Sequence, residues 1–267
     1  MKIPRLIPVF LAVLCLAAAP QGASARELTT VVSQTTVTAD PTATSQKAST
    51  PKGLTVKGNK ISFYKNGSMV KDRWLNYKGI KYYFGTDGYA FKGTHRINNK
   101  VYVFDEKGRL IQNKQNKMVT VYDKKYYIIS KYGHPATGYF IYRNNLYYAD
   151  SKGRCYLNRS RENGQLYFTS SGAARKNTAA LLKMQTMQTV SSLTSSNMTK
   201  AKKLRACWNY IVSWRNFSYG GSDPNLNQKG WYRSTALKML QTKRGNCYSF
   251  ACAFAAMAKE ELQDRKS

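Results

Sequence analysis

Between residues 58 and 173, short aromatic and apolar runs alternate with polar residues, and each run is followed by a glycine. The runs begin with Phe63-Tyr64, Tyr82-Tyr83-Phe84 and Tyr102-Val103-Phe104. The glycines are Gly67, Gly88, Gly108, Gly133, Gly153 and Gly172, at intervals of 21, 20, 25, 20 and 19 residues. Tyrosine and phenylalanine favour strands, and Asn-Gly and Asp-Gly favour tight hairpin turns. The pattern predicts six β-hairpins stacked as a solenoid, with these glycines in the hairpin turns.

After Gly172 the apolar spacing becomes helical. A helix is predicted from Ala173 to about Val190, and apolar side chains three and four apart predict an amphipathic helix over 202–214. A short helix is predicted over 235–242. The alanine-rich run from Cys247 to Lys259 predicts another, with Asn246 as its N-cap.

The N-terminus has the pattern of an export signal. Lys2 and Arg5 precede an apolar run over 7–19, and Ala23-Ser24-Ala25 offers small residues for cleavage. The run is shorter than the roughly 20 residues of a membrane-spanning helix. We therefore expect a signal peptide over 1–25, a secreted and extracellular protein, and no transmembrane anchor. Residues 26–57 are rich in Thr, Ser and Ala and are predicted to be a linker.

The charge and the cysteine content of the chain limit which binding partners, disulfides and metal sites are expected. The chain has 43 Lys and Arg against 13 Asp and Glu, a formal charge of +30, which favours a polyanion. For an exported protein a teichoic-type polymer is a better candidate than nucleic acid, which is not expected. Cys155, Cys207, Cys247 and Cys252 permit disulfides without requiring them. With two histidines and no Cys-x-x-Cys pair, neither a metal site nor a cofactor is predicted.

The repeats resemble the cell-wall-binding repeat family, which includes choline-binding and glucan-binding modules. The resemblance is carried by Lys78-Gly-Ile-Lys-Tyr-Tyr-Phe-Gly-Thr-Asp-Gly88 and Pro135-Ala-Thr-Gly-Tyr139. It implies that ligands are held between aromatic rings of consecutive hairpins. Lys81, Lys125 and Leu146 stand where choline binders usually have tryptophan, so cell-wall polysaccharide or an anionic polymer is favoured over choline.

The residues that this resemblance offers for ligand binding are aromatic. They are Trp74, Tyr82, Tyr83, Tyr126, Tyr127, Tyr139, Tyr142, Tyr147 and Tyr148. The alternative for each ring is packing in the apolar core that stacks the hairpins.

The C-terminal segment resembles the transglutaminase-like superfamily, which includes papain-type cysteine proteases and peptide-crosslinking enzymes. The resemblance is carried by the string from Ala236 to Ala251 and by Cys207-Trp208. It implies that Cys247 is the nucleophile and that Trp231 or Tyr232 lies near the oxyanion site. The start of a helix stabilises a thiolate and supplies a backbone donor. The alternative is an ordinary cysteine at a helix start.

The family order places a histidine and an aspartate after the cysteine. Twenty residues follow Cys247, and none is histidine; His95 and His134 lie in the repeats. The fold class expected is thus multidomain: a β-hairpin solenoid (58–173), a helical or flexible connector (174–199) and a mainly helical, incomplete α+β transglutaminase-like domain (200–267).

The function predicted is that of a secreted protein that binds cell-wall or surface polysaccharide and carries a cysteine domain that is inactive as given. The alternative is that the chain is a fragment of a wall-anchored cysteine protease, amidase or acyltransferase that acts on a peptide or protein.

Overall fold

The computed structural model describes residues 51–263, with side chains described through residue 261. The predicted signal peptide and residues 26–50 of the predicted linker lie outside the described residues. The predicted end of the linker at residue 57 is wrong, because the first strand, β1, spans Gly53–Lys57. Its half-buried Leu54 packs against an apolar cluster that contains Ile61 and Phe84.

Six antiparallel hairpins follow one another along the described residues, which confirms the predicted hairpin array. A short strand β3 (Ser68–Met69) pairs with β2 and widens the first hairpin to three strands. The hairpins are β1–β2 (Lys60–Lys65), β4 (Arg73–Tyr77)–β5 (Ile80–Phe84), β6 (Gly93–Ile97)–β7 (Lys100–Phe104), β8 (Lys117–Val121)–β9 (Lys124–Ile128), β10 (Gly138–Tyr142)–β11 (Asn145–Ala149) and β12 (Arg159–Arg161)–β13 (Leu166–Phe168).

The repeating glycines do not form the hairpin turns, except for Gly67 between β2 and β3. The turns fall instead at exposed pairs such as Asn98-Asn99 and Tyr122-Asp123, whose φ angles are 46° and 61°, and 47° and 59°. This is the conformation that two-residue hairpin turns require. Exposed tips give a side chain room in that conformation, so glycine is not needed there.

The repeating glycines lie in the connections between hairpins, where backbones approach closely. Gly133 has φ +82°, and its amide donates to the carbonyl of Ser130 at 3.2 Å. A Cβ at Gly133 would overlap the backbone oxygen of Ile111, and one at Gly153 would overlap the Pro135 ring. Close approach to the preceding unit therefore explains the glycine period better than turn geometry does.

A column of buried side chains, here called the spine, runs through the array. Each member is the last residue of a hairpin's second strand and has no exposed surface, and each forms a single β-bridge to the connection that follows. The spine residues are Phe84, Phe104, Ile128, Ala149 and Phe168.

Consecutive units are joined by recurrent backbone hydrogen bonds. The amide of Leu110 donates to the carbonyl of Lys81 at 2.9 Å, and that of Cys155 donates to Lys125 at 2.9 Å. The fourth unit follows a different course, because the equivalent residue is Pro135, which has no N–H. There the ring of the preceding residue, His134, takes over: its Nδ1 lies 2.8 Å from the carbonyl oxygen of Val101.

The C-terminal part is helical, as predicted. It contains α1 (Thr178–Leu193), α2 (Lys200–Ile211), α3 (Trp231–Thr242) and α4 (Cys247–Gln263), with a short parallel pair formed by β14 (Ser218–Tyr219) and β15 (Arg244–Gly245). Cys207, Ile211, Met239, Leu240 and Met257 form most of its core. No helix among the described residues is long and apolar enough to cross a membrane.

Several helix bounds differ from the prediction. The first helix begins at Thr178 rather than at Ala173, with Asn177 as its N-cap. The second helix ends at Ile211, so Trp214 lies beyond it and is 82% exposed. The third begins at Trp231 rather than at residue 235, after a left-handed Gly230. The predicted cap of α4 is confirmed, since the amide of Ser249 donates to the Asn246 side chain at 3.3 Å.

Helix α1 joins the array to the other helices. Its Ala180 and Met184 pack with Leu166 and Phe168 of the last hairpin, and its Val190 belongs to the helical core. Lys183 of α1 also pairs with Glu260 of α4 at 2.7 Å. The segment predicted as a connector thus contributes packed residues to both parts.

Candidate functional site

An open cleft of about 410 Å³, here called the Trp74 cleft, lies along the second, third and fourth units. Trp74 and Asn76 come from β4 and Tyr102 from β7. The connections after β7 and β9 complete the wall. The lining residues are Trp74, Leu75, Asn76, Lys81, Lys100, Tyr102, Leu110, Gln112, Tyr132 and His134.

Aromatic rings form one wall of the Trp74 cleft. The ring centroids of Trp74 and Tyr102 lie 4.9 Å apart in an edge-to-face arrangement, and those of Tyr102 and His134 lie 4.5 Å apart. Trp74 is 36% exposed and Tyr132 is 55% exposed. Rings that are fixed by their neighbours and still open to solvent can stack on the apolar face of a ligand.

Polar side chains complete the cleft. The carbonyl of Val101 can only accept, so Nδ1 of His134 carries the hydrogen of this contact. Gln112 donates to the carbonyl of Gly79 at 3.5 Å. With Asn76 and the ammonium groups of Lys81 and Lys100, these groups offer both donors and acceptors to a ligand rich in hydroxyl groups.

The aromatic residues expected to bind ligand fall into two groups. Trp74 lies in the cleft, as described. Tyr82, Tyr126 and Tyr147 are 4%, 3% and 8% exposed, and burial raises the pKa of each hydroxyl. Their rings belong to the apolar core, so the packing alternative describes these three tyrosines.

The other five tyrosines are half-buried at junctions between units. Tyr83 packs edge-on against Trp74, with 5.2 Å between centroids. Tyr127 lies 5.0 Å from Tyr142, and Tyr139 lies 4.9 Å from Tyr148. These rings contact one another across strands and units.

Sequence reasoning missed Tyr102, Tyr132 and His134, although one signal pointed to them. The interval of 25 residues from Gly108 to Gly133 is the longest in the array. The long connection 105–116 contributes Leu110 and Gln112 to the cleft, and Tyr132 and His134 flank the glycine that closes the interval.

Cys247, the proposed nucleophile, is the first residue of α4 and is exposed. The preceding Asn246, which is 5% exposed, fixes the start of the helix. Its side-chain oxygen accepts from Ser249, and its Nδ2 donates to Asp223 at 2.6 Å. The helix start is thereby tied to the loop before α3.

The two residues predicted near the oxyanion site, Trp231 and Tyr232, have different surroundings. Trp231 lies edge-on to Tyr248, the neighbour of Cys247, at 6.0 Å between centroids. Tyr232 instead lines a groove of about 460 Å³ between α1, α3, α4 and the last hairpin, together with Cys252. Burial raises the pKa of the Cys252 thiol.

The two histidines of the chain lie in the hairpins, each with a ring nitrogen against a backbone carbonyl. His95 stacks on Phe91 at 3.9 Å, and burial lowers its pKa. Within the described residues no group of three or more His, Cys, Asp or Glu side chains could hold a metal ion.

The C-terminal segment matches a known family. The sequence model of the Transglutaminase-like superfamily matches residues 187–261. This confirms the predicted resemblance, and the match begins inside α1 rather than at residue 200.

The repeats also have relatives. Glucosyltransferase-S of Streptococcus mutans serotype c is 34% identical over 111 residues, which are 40% of this chain and 7% of that protein. The chain thus spans a small part of its curated relative.

Several solved structures are similar over about half of this chain. Choline binding protein F of Streptococcus pneumoniae is 23% identical over 47% of this chain and 48% of that chain, with a TM-score of 0.24. The multimodular pneumococcal endolysin from phage Cp-1, solved with choline, is 24% identical over 49% of this chain and 40% of that chain, with a TM-score of 0.35.

Proposed function

We propose that the chain is an exported protein that binds a cell-surface polysaccharide through the Trp74 cleft. The observation that carries this proposal is that the exposed rings of Trp74 and Tyr132 line the same opening as the amides of Asn76 and Gln112. A sugar ring has apolar C–H faces and carries hydroxyl groups around its edge. Aromatic faces flanked by amides and lysines offer a partner to each of these surfaces.

The charges of the cleft select among ligands. Lys81 and Lys100 border it, and acidic side chains are absent from its described lining. Two ammonium groups repel a quaternary ammonium ligand, whereas they hydrogen-bond to neutral sugars and attract anionic ones. A glucosyl polymer fits, and the similarity to a glucosyltransferase supports it.

Export and wall association belong to the same proposal. The signal pattern over 1–25 supports export, and the formal charge of +30 supports attraction to anionic wall polymers. Attraction of this kind weakens in salt, whereas stacking in the cleft does not.

The test measures retention of the full chain on insoluble glucan and on purified cell wall, for the wild type and for Trp74→Ala. Trp214→Ala is the matched control, because Trp214 is exposed and lies outside the cleft. We expect about a tenfold loss of affinity for Trp74→Ala, or about 1.4 kcal/mol, and none for the control. Equal retention of both variants would contradict binding through the Trp74 cleft. Loss of all binding at 0.5 M salt (roughly threefold the physiological ionic strength) would mean that charge attraction alone holds the ligand.

A second candidate function is acyl transfer or hydrolysis through Cys247. The observation that favours it is an exposed thiol at a capped helix start inside the segment that matches the family. A cysteine nucleophile must be accessible and close to backbone donors. The candidate therefore requires that Cys247 react with a small electrophile in the folded protein, which thiol labelling measures.

A further inference from the structure

The junctions between hairpins share one packing position. At the junction between the fourth and fifth hairpins, a residue of the first strand is inserted against an aromatic residue of the hairpin before it. Phe140 stacks on Tyr127, with 5.0 Å between centroids and 6° between ring planes. By strand register, the equivalent residues at successive junctions are His95, Val119, Phe140 and Arg161.

The last junction differs because its inserted residue carries a charge. The guanidinium carbon of Arg161 lies 3.6 Å from the ring centroid of Tyr148, and 5.6 Å from those of both Tyr139 and Tyr156. Tyr148 is edge-on to Tyr139 at 4.9 Å and to Tyr156 at 4.8 Å. Three rings therefore surround one cation, and we call Tyr139, Tyr148 and Tyr156 the cage.

Hydrogen bonds hold the cation in place. Nε of Arg161 donates to the hydroxyl of Tyr139 at 3.3 Å, and that hydroxyl donates to Glu162 at 2.9 Å. Burial raises the pKa of Tyr139, so the hydroxyl keeps its proton and continues to donate to Glu162. The ammonium of Lys183 lies 4.4 Å from the Tyr139 ring.

Cages of this composition recognise organic cations, because the faces of aromatic rings attract positive charge. A nearby carboxylate adds to that attraction, and Glu162 supplies one. The cage thus has the chemistry of a site for an alkylammonium or guanidinium group, and the chain fills it with its own side chain.

We propose that Arg161 is a built-in ligand that closes a cation-binding cage at the last junction, so that removing its guanidinium opens a site for an exogenous organic cation. Arg161 thereby determines specificity: it excludes quaternary ammonium ligands from this junction. This inference does not depend on polysaccharide binding at the Trp74 cleft, which lies at other units.

The experiment compares thermal unfolding of the full-length wild type, Arg161→Ala and Arg159→Ala, with and without choline chloride at matched ionic strength. Arg159 is the control, because it contacts only Tyr156 of the cage, at 5.5 Å. We expect the Tm of Arg161→Ala to fall by about 3 °C, the size expected for losing about 1 kcal/mol. Choline should restore it in a saturable way, and should not change the Tm of the wild type or of Arg159→Ala.

Each outcome decides the proposal. A choline-dependent rise confined to Arg161→Ala supports it. A folded Arg161→Ala that does not respond to choline overturns it, as does an equal response of the wild type. If Arg161→Ala does not fold, Arg161→Gln keeps much of the aliphatic stem and takes the same test. Trp74→Ala must leave all these responses unchanged, which separates this result from the polysaccharide test.

Discussion

Two glycines with the same backbone conformation test whether close packing between units explains the glycine period. Gly133 and Gly164 both have φ +82°. A Cβ at Gly133 would overlap the backbone oxygen of Ile111 and lie 3.1 Å from a methyl group of Leu110, whereas one at Gly164 would have nothing within 4 Å. Gly133→Ala and Gly164→Ala therefore share the backbone cost and differ in the steric one.

The magnitudes follow from these two costs. An L-residue in a left-handed conformation costs about 1–2 kcal/mol, which both variants incur. Insertion of a methyl group into a packed site costs about 1–3 kcal/mol more, and the carbonyl of Ile111 is backbone that cannot rotate away. We expect Gly164→Ala to lose about 1–2 kcal/mol of unfolding free energy and Gly133→Ala about 2–5 kcal/mol.

The assay is thermal and urea unfolding of the full chain, followed by tyrosine fluorescence and near-ultraviolet circular dichroism. With roughly 2–4 °C per kcal/mol for a protein of this size, the Tm should fall by about 5 °C for Gly164→Ala and by about 10 °C for Gly133→Ala. Equal losses would refute the reasoning, since they would mean that only backbone conformation matters. A larger loss for Gly164→Ala would refute it outright.

The cysteines give two further predictions. Iodoacetamide at neutral pH should label the exposed Cys247 in the folded protein, and should label the buried Cys155 and Cys207 only after unfolding. If Cys207 were labelled as fast as Cys247, Cys247 would not be the selectively accessible thiol that a nucleophile requires. Burial raises the pKa of the Cys155 thiol from 9.0 to about 12, so the unfolded chain releases this proton first and the thiol's contribution to stability is lost as pH rises above about 9. In urea unfolding, the wild type should therefore lose about 1.4 kcal/mol more than Cys155→Ala between about pH 8 and pH 10. Parallel losses would show that the thiol titrates normally in the folded chain.

The sequence predicted the array well, because strand propensity and a repeating period are local signals. It placed the glycines wrongly, because Asp87-Gly88 has the composition of a hairpin turn whether or not its neighbours are paired strands. The actual turns include Arg143-Asn144, which a preference for Asn-Gly or Asp-Gly does not single out. The need for glycine arises from contact with the preceding unit, which is not a local property.

In the candidate sites too, local sequence signals identify some residues, and contacts between units determine the others. Trp74 and Cys247 could be named from the sequence, because a lone tryptophan in the repeats and a cysteine at a helix start are conspicuous. Tyr132 and His134 enter the cleft from a unit two hairpins away from Trp74, and only the stacking geometry brings them there. The insertion of Arg161 among tyrosines likewise depends on register between hairpins.

The recurrent joints of the array have a consequence for its growth. Most hairpins are joined to the hairpin before them by a backbone hydrogen bond, and each of the five that follow the first adds one residue to the spine. Duplication of a stretch of gene that encodes one period would insert a unit that finds matching surfaces on both sides. Helix α1 covers the final hairpin with Ala180 and Met184, so the terminal surface is already shielded wherever such an insertion occurs. The array can therefore lengthen in steps of one hairpin, while α1 keeps its packing against the last one.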